Sequence, residues 1–409
     1  MRSRQACAAA VILFLFGALV AGAAPADGRS AVTKLARSSN AFGFDLYQRL
    51  RQKPGNLVIS PASLATSLFL PWGGARGDTA AQMGKVLHLE GTAGHVMATS
   101  GLLSRSLQDP AHPIVFRIAN QLFAENTYKL APAYLDKTRV AFGAPVESLD
   151  FKNAPDPSRL RINRWVESKT ERRIRDLIPP GGIETDTRLV LVNAIYFLGD
   201  WQTPFEHGLT HPAPFHLTSV VTKSVPTMHR MDEFRVAREN GVTALELPYK
   251  GGELSMMLLV PDQIGGLAAF ESTLDAQTVD ALASAMRREF FELALPKFEV
   301  NPGVSLSLGE DLKALGMPLA FDRARADFTG IANPPNPADR LALGKVFHKG
   351  FVRVDEKGTE ATAATAVTEL VMGGPPPQLR VDRPFLFLIR DNASGLILFL
   401  GRVSNPSRR

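Results

Sequence analysis

The sequence predicts an α+β fold, and three observations carry that prediction. Helical apolar spacing dominates the first half of the chain. Strand-like runs dominate the second half. No linker-like composition shift separates the two. The 45% apolar and 21% charged content of the 409 residues is enough for a sizeable core.

The helices come first. Residues 32–50 place Leu35, Phe42, Leu46 and Leu50 on one face. Residues 61–72 begin at Ser60-Pro61, a capping residue followed by proline in the first turn. Residues 78–87, 98–107 and 158–176 also read as helices. The strands follow at 188–197, 244–249, 255–261, 291–300, 345–356, 384–391 and 395–403, all rich in β-branched and large apolar residues. Asn392-Ala393-Ser394 suits a hairpin turn between the last two. The proline-rich 333–340 reads as a surface loop, because strands continue on both sides.

Residues 1–24 carry Arg2 and Arg4, an apolar run from Val11 to Val20 and then small residues. That order reads as a cleaved signal peptide, with an uncleaved membrane anchor as the alternative. It predicts a secreted protein, extracellular or periplasmic. Cys7, the single cysteine, lies inside this leader, so the rest of the chain has neither disulfide nor thiolate metal site. Loss of Arg2 and Arg4 lowers the formal charge of +6 by two. The remaining excess is small for this size, so neither nucleic acid nor, after leader cleavage, a membrane is an expected partner.

Enzyme signatures are missing. The chain has no Gly-x-Ser-x-Gly elbow, no His-Glu-x-x-His, no phosphate-binding Gly-rich loop and no dinucleotide fingerprint. His207, His211 and His216 lie among prolines without ligand spacing and read as exposed loop histidines, not a metal site. No cofactor and no metal is expected. Arg76-Gly77-Asp78 is spaced like an adhesion tripeptide, but Asp78 before Thr79-Ala80-Ala81-Gln82 reads as a helix cap. The basic residues of 158–176 alternate with Glu167, Glu171 and Asp176, the pattern of a solvated helix face.

EKGTEATAATAVTELVMGGPPP, residues 356–377, fits neither a core helix nor an ordinary turn. In an extended chain one face shows Thr359, Ala361, Ala363, Thr365, Val367, Glu369 and Val371. The other shows Glu360, Thr362, Ala364, Ala366, Thr368, Leu370 and Met372. Small residues of this kind pass between existing strands without obstruction. Gly358 reads as a flexible pivot, and Pro375–Pro377 resist entry into a sheet. The segment therefore reads as a strand held in reserve, with a flexible surface loop as the alternative.

Several long stretches together resemble the serpin family over nearly all of residues 35–406. They are NLVISPASLATSLFLPWGGARGDTAAQM (56–83), NRWVESKTERRIRDLIP (163–179), LVNAIYFLGDWQTPF (191–205), LPKFEV (295–300), ADFTGI (326–331), HKGFVRVDEKGTEATAATAV (348–367) and RPFLFLIRDNASGLILFLGRVSNP (383–406). The resemblance implies a single α+β domain, 30–409, with three β-sheets, surrounding helices and an exposed reactive loop at 356–377. It implies an inhibitor and no enzyme of its own. A serine protease attacks the loop and is held as a covalent acyl complex. The loop then inserts into the main sheet. A non-inhibitory binding or carrier protein on the same fold is the alternative. A monomer is expected.

Carried over residue by residue, the hinge is Glu356, Gly358, Thr359, Glu360, Ala361, Thr362, Ala363, Ala364 and Thr365. The reactive bond is Met372–Gly373. Ser60, Pro61, Ser63, Asn193 and His348 match the cluster where the central strands part. Trp201, Lys297 and Glu356 match the site where insertion begins. The small hinge resembles that of the inhibitors. Met372 suits an elastase-, chymotrypsin- or subtilisin-like protease. There are two departures from the pattern. Glu369 lies on the inward-turning face, where an unpaired carboxylate is costly. The segment after the cut is about one residue longer than is typical, so Leu370, Val371 and Gly373 compete with Met372.

Overall fold

The computed structural model describes residues 26–107, 114–142, 146–336, 339–359 and 377–407. The leader, the hinge residues Glu360–Thr365, Glu369 and the Met372–Gly373 bond lie outside the described residues. The chain opens with α1 (Ala26–Leu50), β1 (Leu57–Ile59), α2 (Pro61–Gly74), α3 (Gly77–Val86), α4 (Ala93–Leu107), β2 (Val115–Glu125), α5 (Pro132–Phe142), β3 (Glu147–Leu149), α6 (Pro155–Lys169) and β4 (Leu189–Asp200). It continues with β5 (His211–His216), β6 (Thr222–Glu239), β7 (Val242–Pro248), β8 (Leu254–Pro261), α7 (Leu267–Thr273), α8 (Ala276–Ala285), β9 (Arg287–Pro296) and β10 (Phe298–Val300). β11 (Leu306–Ser307), α9 (Gly309–Leu315), β12 (Lys345–Val354), β13 (Gly358–Thr359), β14 (Gln378–Arg380), β15 (Phe385–Asp391) and β16 (Ile397–Val403) complete it. This is the expected α+β architecture.

The main sheet runs β10-β12-β4-β2-β3, with β11 beside β12 and β13 beside β4. Its centre is a parallel pair, β4 with β12, in register from Val190↔Lys345 to Tyr196↔Phe351. The other strands pair in the order β1-β16-β15-β8-β7-β6-β9-β14, with β5 on β6. β6 joins the second and third expected sheets. Its middle pairs with β9 and its end with β7, so hydrogen bonding runs between them without a break.

α2 lies between the sheets, against β2, β4 and β16. Almost every residue of α2 is buried, which fits its apolar composition. Ser60 caps it and Pro61 occupies its first turn, as the sequence predicts. α6 covers the opposite face of the main sheet. Its Ile162 and Val166 pack with Val190, Val192, Tyr196, Phe347 and Phe351.

Three sequence expectations change in detail. The run 291–300 is two strands in different sheets, broken at Lys297 after Pro296. Proline cannot continue a ladder as a donor, and the chain leaves one sheet for the other there. The helix expected over 158–176 stops at Lys169, and Glu171, Arg172 and Asp176 adopt positive φ. Asp78 is not a cap. Arg76 holds that position, and Asp78 sits in the first turn of α3, where its charge favours the helix N-terminus.

Candidate functional site: two latches on the central strands

Register aligns the first cluster. Asn120 of β2 lies opposite Asn193 of β4, and Asn193 lies opposite His348 of β12. The N-terminus of α2 caps this row. Ser60 Oγ accepts from Ser63 N at 3.1 Å, and Ser60 N donates to His348 Nε2 at 3.2 Å. Asn193 Nδ2 donates to Ser63 Oγ and to Asn120 Oδ1, both at 2.7 Å. Ser63 Oγ donates to Asn120 Oδ1 at 3.0 Å. His348 Nδ1 meets Asn193 Oδ1.

Because Nε2 accepts from a backbone N–H, the ring proton is on Nδ1 and the imidazole is neutral. Burial, with no solvent exposure, pushes the His348 pKa down to about 3. The network thus joins α2 to three strands using groups that are costly to leave unpaired. The structure brings Ser60, Pro61, Ser63, Asn193 and His348 together. Asn120 is a member that sequence reasoning missed. Next to Gln121 in β2, it carries no local mark that separates it from an ordinary polar residue.

The second cluster sits at the C-terminal end of β4. Glu356 is buried, and Lys297 Nζ reaches its two carboxylate oxygens at 2.7 and 3.0 Å. Thr210 Oγ1 donates to Glu356 Oε1 at 2.9 Å, and His207 Nδ1 lies 3.5 Å from the same oxygen. Burial raises the carboxyl pKa, but the Lys297 and Thr210 hydrogen bonds outweigh it and hold Glu356 below its ordinary range.

Trp201 lies over this junction. Its ring stacks on Tyr249 at 4.7 Å, its Nε1 donates to Asp355 O at 3.0 Å, and its backbone N donates to Lys357 O at 2.7 Å. Trp201, Lys297 and Glu356 therefore converge. Thr210, His207 and Tyr249 join them from other segments of the chain.

From here the chain turns back. Gly358 and Thr359 pair antiparallel with β4, opposite Asp200 and Gly199. Thr359 is fully buried and shares a 2.9 Å hydrogen bond with the Tyr249 hydroxyl, so its side chain faces the core. Gly358 does not adopt positive φ. What requires glycine is space, since a Cβ there would meet Gly199 O at 2.1 Å. The pivot expectation gives way to close backbone approach.

The family model for serpins (serine protease inhibitors) matches residues 37–406. Leukocyte elastase inhibitor of Equus caballus is 38% identical over 387 residues, covering 91% of this chain and 100% of that protein. Serpin B4 of Homo sapiens is 38% identical over 397 residues, covering 92% and 100%. Human thyroxine-binding globulin, solved with thyroxine, superposes with a TM-score of 0.83 at 27% identity, covering 92% of this chain and 99% of that one. The chain belongs to the serpin family, described as serine protease inhibitors.

The comparisons correct one expectation. A secreted location, extracellular or periplasmic, does not stand. The similar relatives are leukocyte elastase inhibitor and serpin B4, of a branch that is typically intracellular. An apolar leader with two arginines records a hydrophobic segment; it does not record where a folded domain works.

Proposed function

We propose that this serpin is an irreversible suicide-substrate inhibitor of a serine protease with elastase-, chymotrypsin- or subtilisin-like specificity, acting as a monomer through a reactive loop at 356–377. The observation that carries the reading is β13. The loop already begins an antiparallel strand on β4, above the point where β4 and β12 pair in parallel. Cleavage frees the strand to continue.

Insertion replaces one parallel contact with two antiparallel ones, which hold slightly better per residue. Continuing the Gly358↔Asp200 register down β4 brings Thr365 opposite Asn193 and Met372 opposite Asp186, past the strand's first residue. A hydroxyl then enters the amide–imidazole row as His348 moves aside. A protease esterified at Met372 is carried to the far end of the sheet. The step is an acyl transfer. The protease serine attacks the Met372 carbonyl, the Met372–Gly373 bond breaks, and the new amino terminus leaves with Gly373.

Met372 offers an unbranched apolar side chain, and the relative at 38% identity is named an elastase inhibitor. The test is denaturing electrophoresis after mixing with elastase. The expected product is an adduct that survives denaturation, with Gly373 as the new amino terminus of the released fragment. Clean cleavage without adduct from every apolar-specific protease overturns the reading. It would favour the second one, a carrier, which the likeness to thyroxine-binding globulin supports.

A further inference from the structure

We propose that a basic cleft at the foot of the main sheet receives the carboxylate of Glu369 once the loop has inserted. This rests on the insertion reading above and identifies what ends the inserted strand. Thr359 faces the core, and side chains alternate, so Glu369 shares its face. The same register brings Glu369 opposite Leu189, the first residue of β4, which is fully buried. An unpaired carboxylate entering that position would oppose insertion.

The foot is not neutral. Two clefts meet there and share Asp186, Arg323, Leu343 and Gly344. Arg188, Lys313, Arg323, Arg340 and Lys345 line them and outnumber the carboxylates. Arg323 lies 2.8 Å from Asp186, Lys345 3.5 Å from Glu184 and Lys313 2.8 Å from Glu310, which leaves Arg188 and Arg340 against Asp339.

The occupant is therefore the acidic end of this chain's own loop, residues 369–372. Arginine suits it because a guanidinium offers several donors to a carboxylate in a fixed geometry. The cleft changes the meaning of Glu369. The residue that interrupts an otherwise small and apolar face becomes the one that fastens the strand end. Its ion pair forms only after cleavage, so it favours the inserted state over the intact one.

The test compares guanidinium midpoints of intact and loop-nicked protein for the wild type, Glu369→Gln, Arg340→Gln and the double variant. Arg323→Gln provides a second basic partner should Arg340→Gln fold poorly. Glu369→Gln is expected to lower the nicked midpoint by about 0.2–0.4 M while leaving the intact midpoint unchanged. The double variant should lose less than the sum of the single losses. A nicked midpoint that rises in Glu369→Gln, or effects that add without coupling to either arginine, overturns the proposal. A wild-type protein whose midpoint does not rise on nicking overturns the insertion reading itself, which is a separate outcome.

Discussion

His348 shows how much one buried side chain can dictate. Its pKa is lowered to about 3 by burial, against an ordinary value of 6.5. Between those values the unfolded chain binds a proton that the native chain refuses, so native stability falls as pH drops from about 6.5 toward 3. One proton gives about 2 kcal/mol of loss between pH 7 and pH 5. His348→Gln should flatten that slope in denaturant titrations at the two pH values. A slope unchanged in the variant would assign the titration elsewhere. Glu356 behaves differently. Its pKa is depressed, so its contribution is present above the unfolded carboxyl value and is lost as pH falls through the lower native one. Lys297→Ala should cost the intact form about 1–3 kcal/mol, read from the same titrations, and speed spontaneous loss of inhibition on storage. Equal storage half-lives for the variant and the wild type would remove the pair from any latch role. Ser60-Pro61 was legible in the sequence because a cap is local. Asn120 and Tyr249 were not, because their partners are set by register between segments far apart in the chain.

At the scale of elements, the proposed mechanism makes β13 the place where substitutions separate inhibitor from substrate. Thr359 is fully buried against Tyr249, so Thr359→Arg has no room for a solvated guanidinium. The variant should be cleaved as fast as the wild type yet consume at least about tenfold more inhibitor per protease, measured by titrating residual protease activity. An unchanged stoichiometry would mean that the strand start does not govern insertion. On the proposed mechanism, the loop itself sets selectivity. A kinetic panel should show trypsin inhibited far more slowly than elastase, since Met372 carries no charge, and a faster reaction with trypsin would refute the Met372 assignment. The sequence showed β4, β8, β15 and β16 plainly, because buried strands read as near-continuous apolar runs, and β12 by its Val and Phe content despite Lys345, His348, Lys349 and Arg353. It did not show the break at Lys297. FELALPKFEV looks like one strand, and only the change of sheet between Pro296 and Phe298 separates it into two. That break is what leaves Lys297 free to face Glu356.

For the whole molecule, the two latches lie along one seam. Between the amide–imidazole row and the Lys297–Glu356 pair, β4 and β12 are held together by a short parallel ladder and covered by α6. Hydrogen bonds from Asn163 to Ile178 and back, each 2.9 Å, tie α6 to the segment that leads toward β4. A strand that enters the seam must break the row, displace β12 and pass beneath α6, and it gains a second ladder in return. The fold class and the family resemblance were legible because they depend on long motifs in a fixed order. The seam's energetics were not, because they depend on the difference between two arrangements of one sequence. The most direct measurement of that difference is the melting temperature of the protein before and after a single nick in the loop. The account predicts a large rise on nicking, as the freed segment becomes a strand of the main sheet. Equal melting temperatures would contradict it, because the intact molecule would then hold no reserve of free energy with which to arrest a protease.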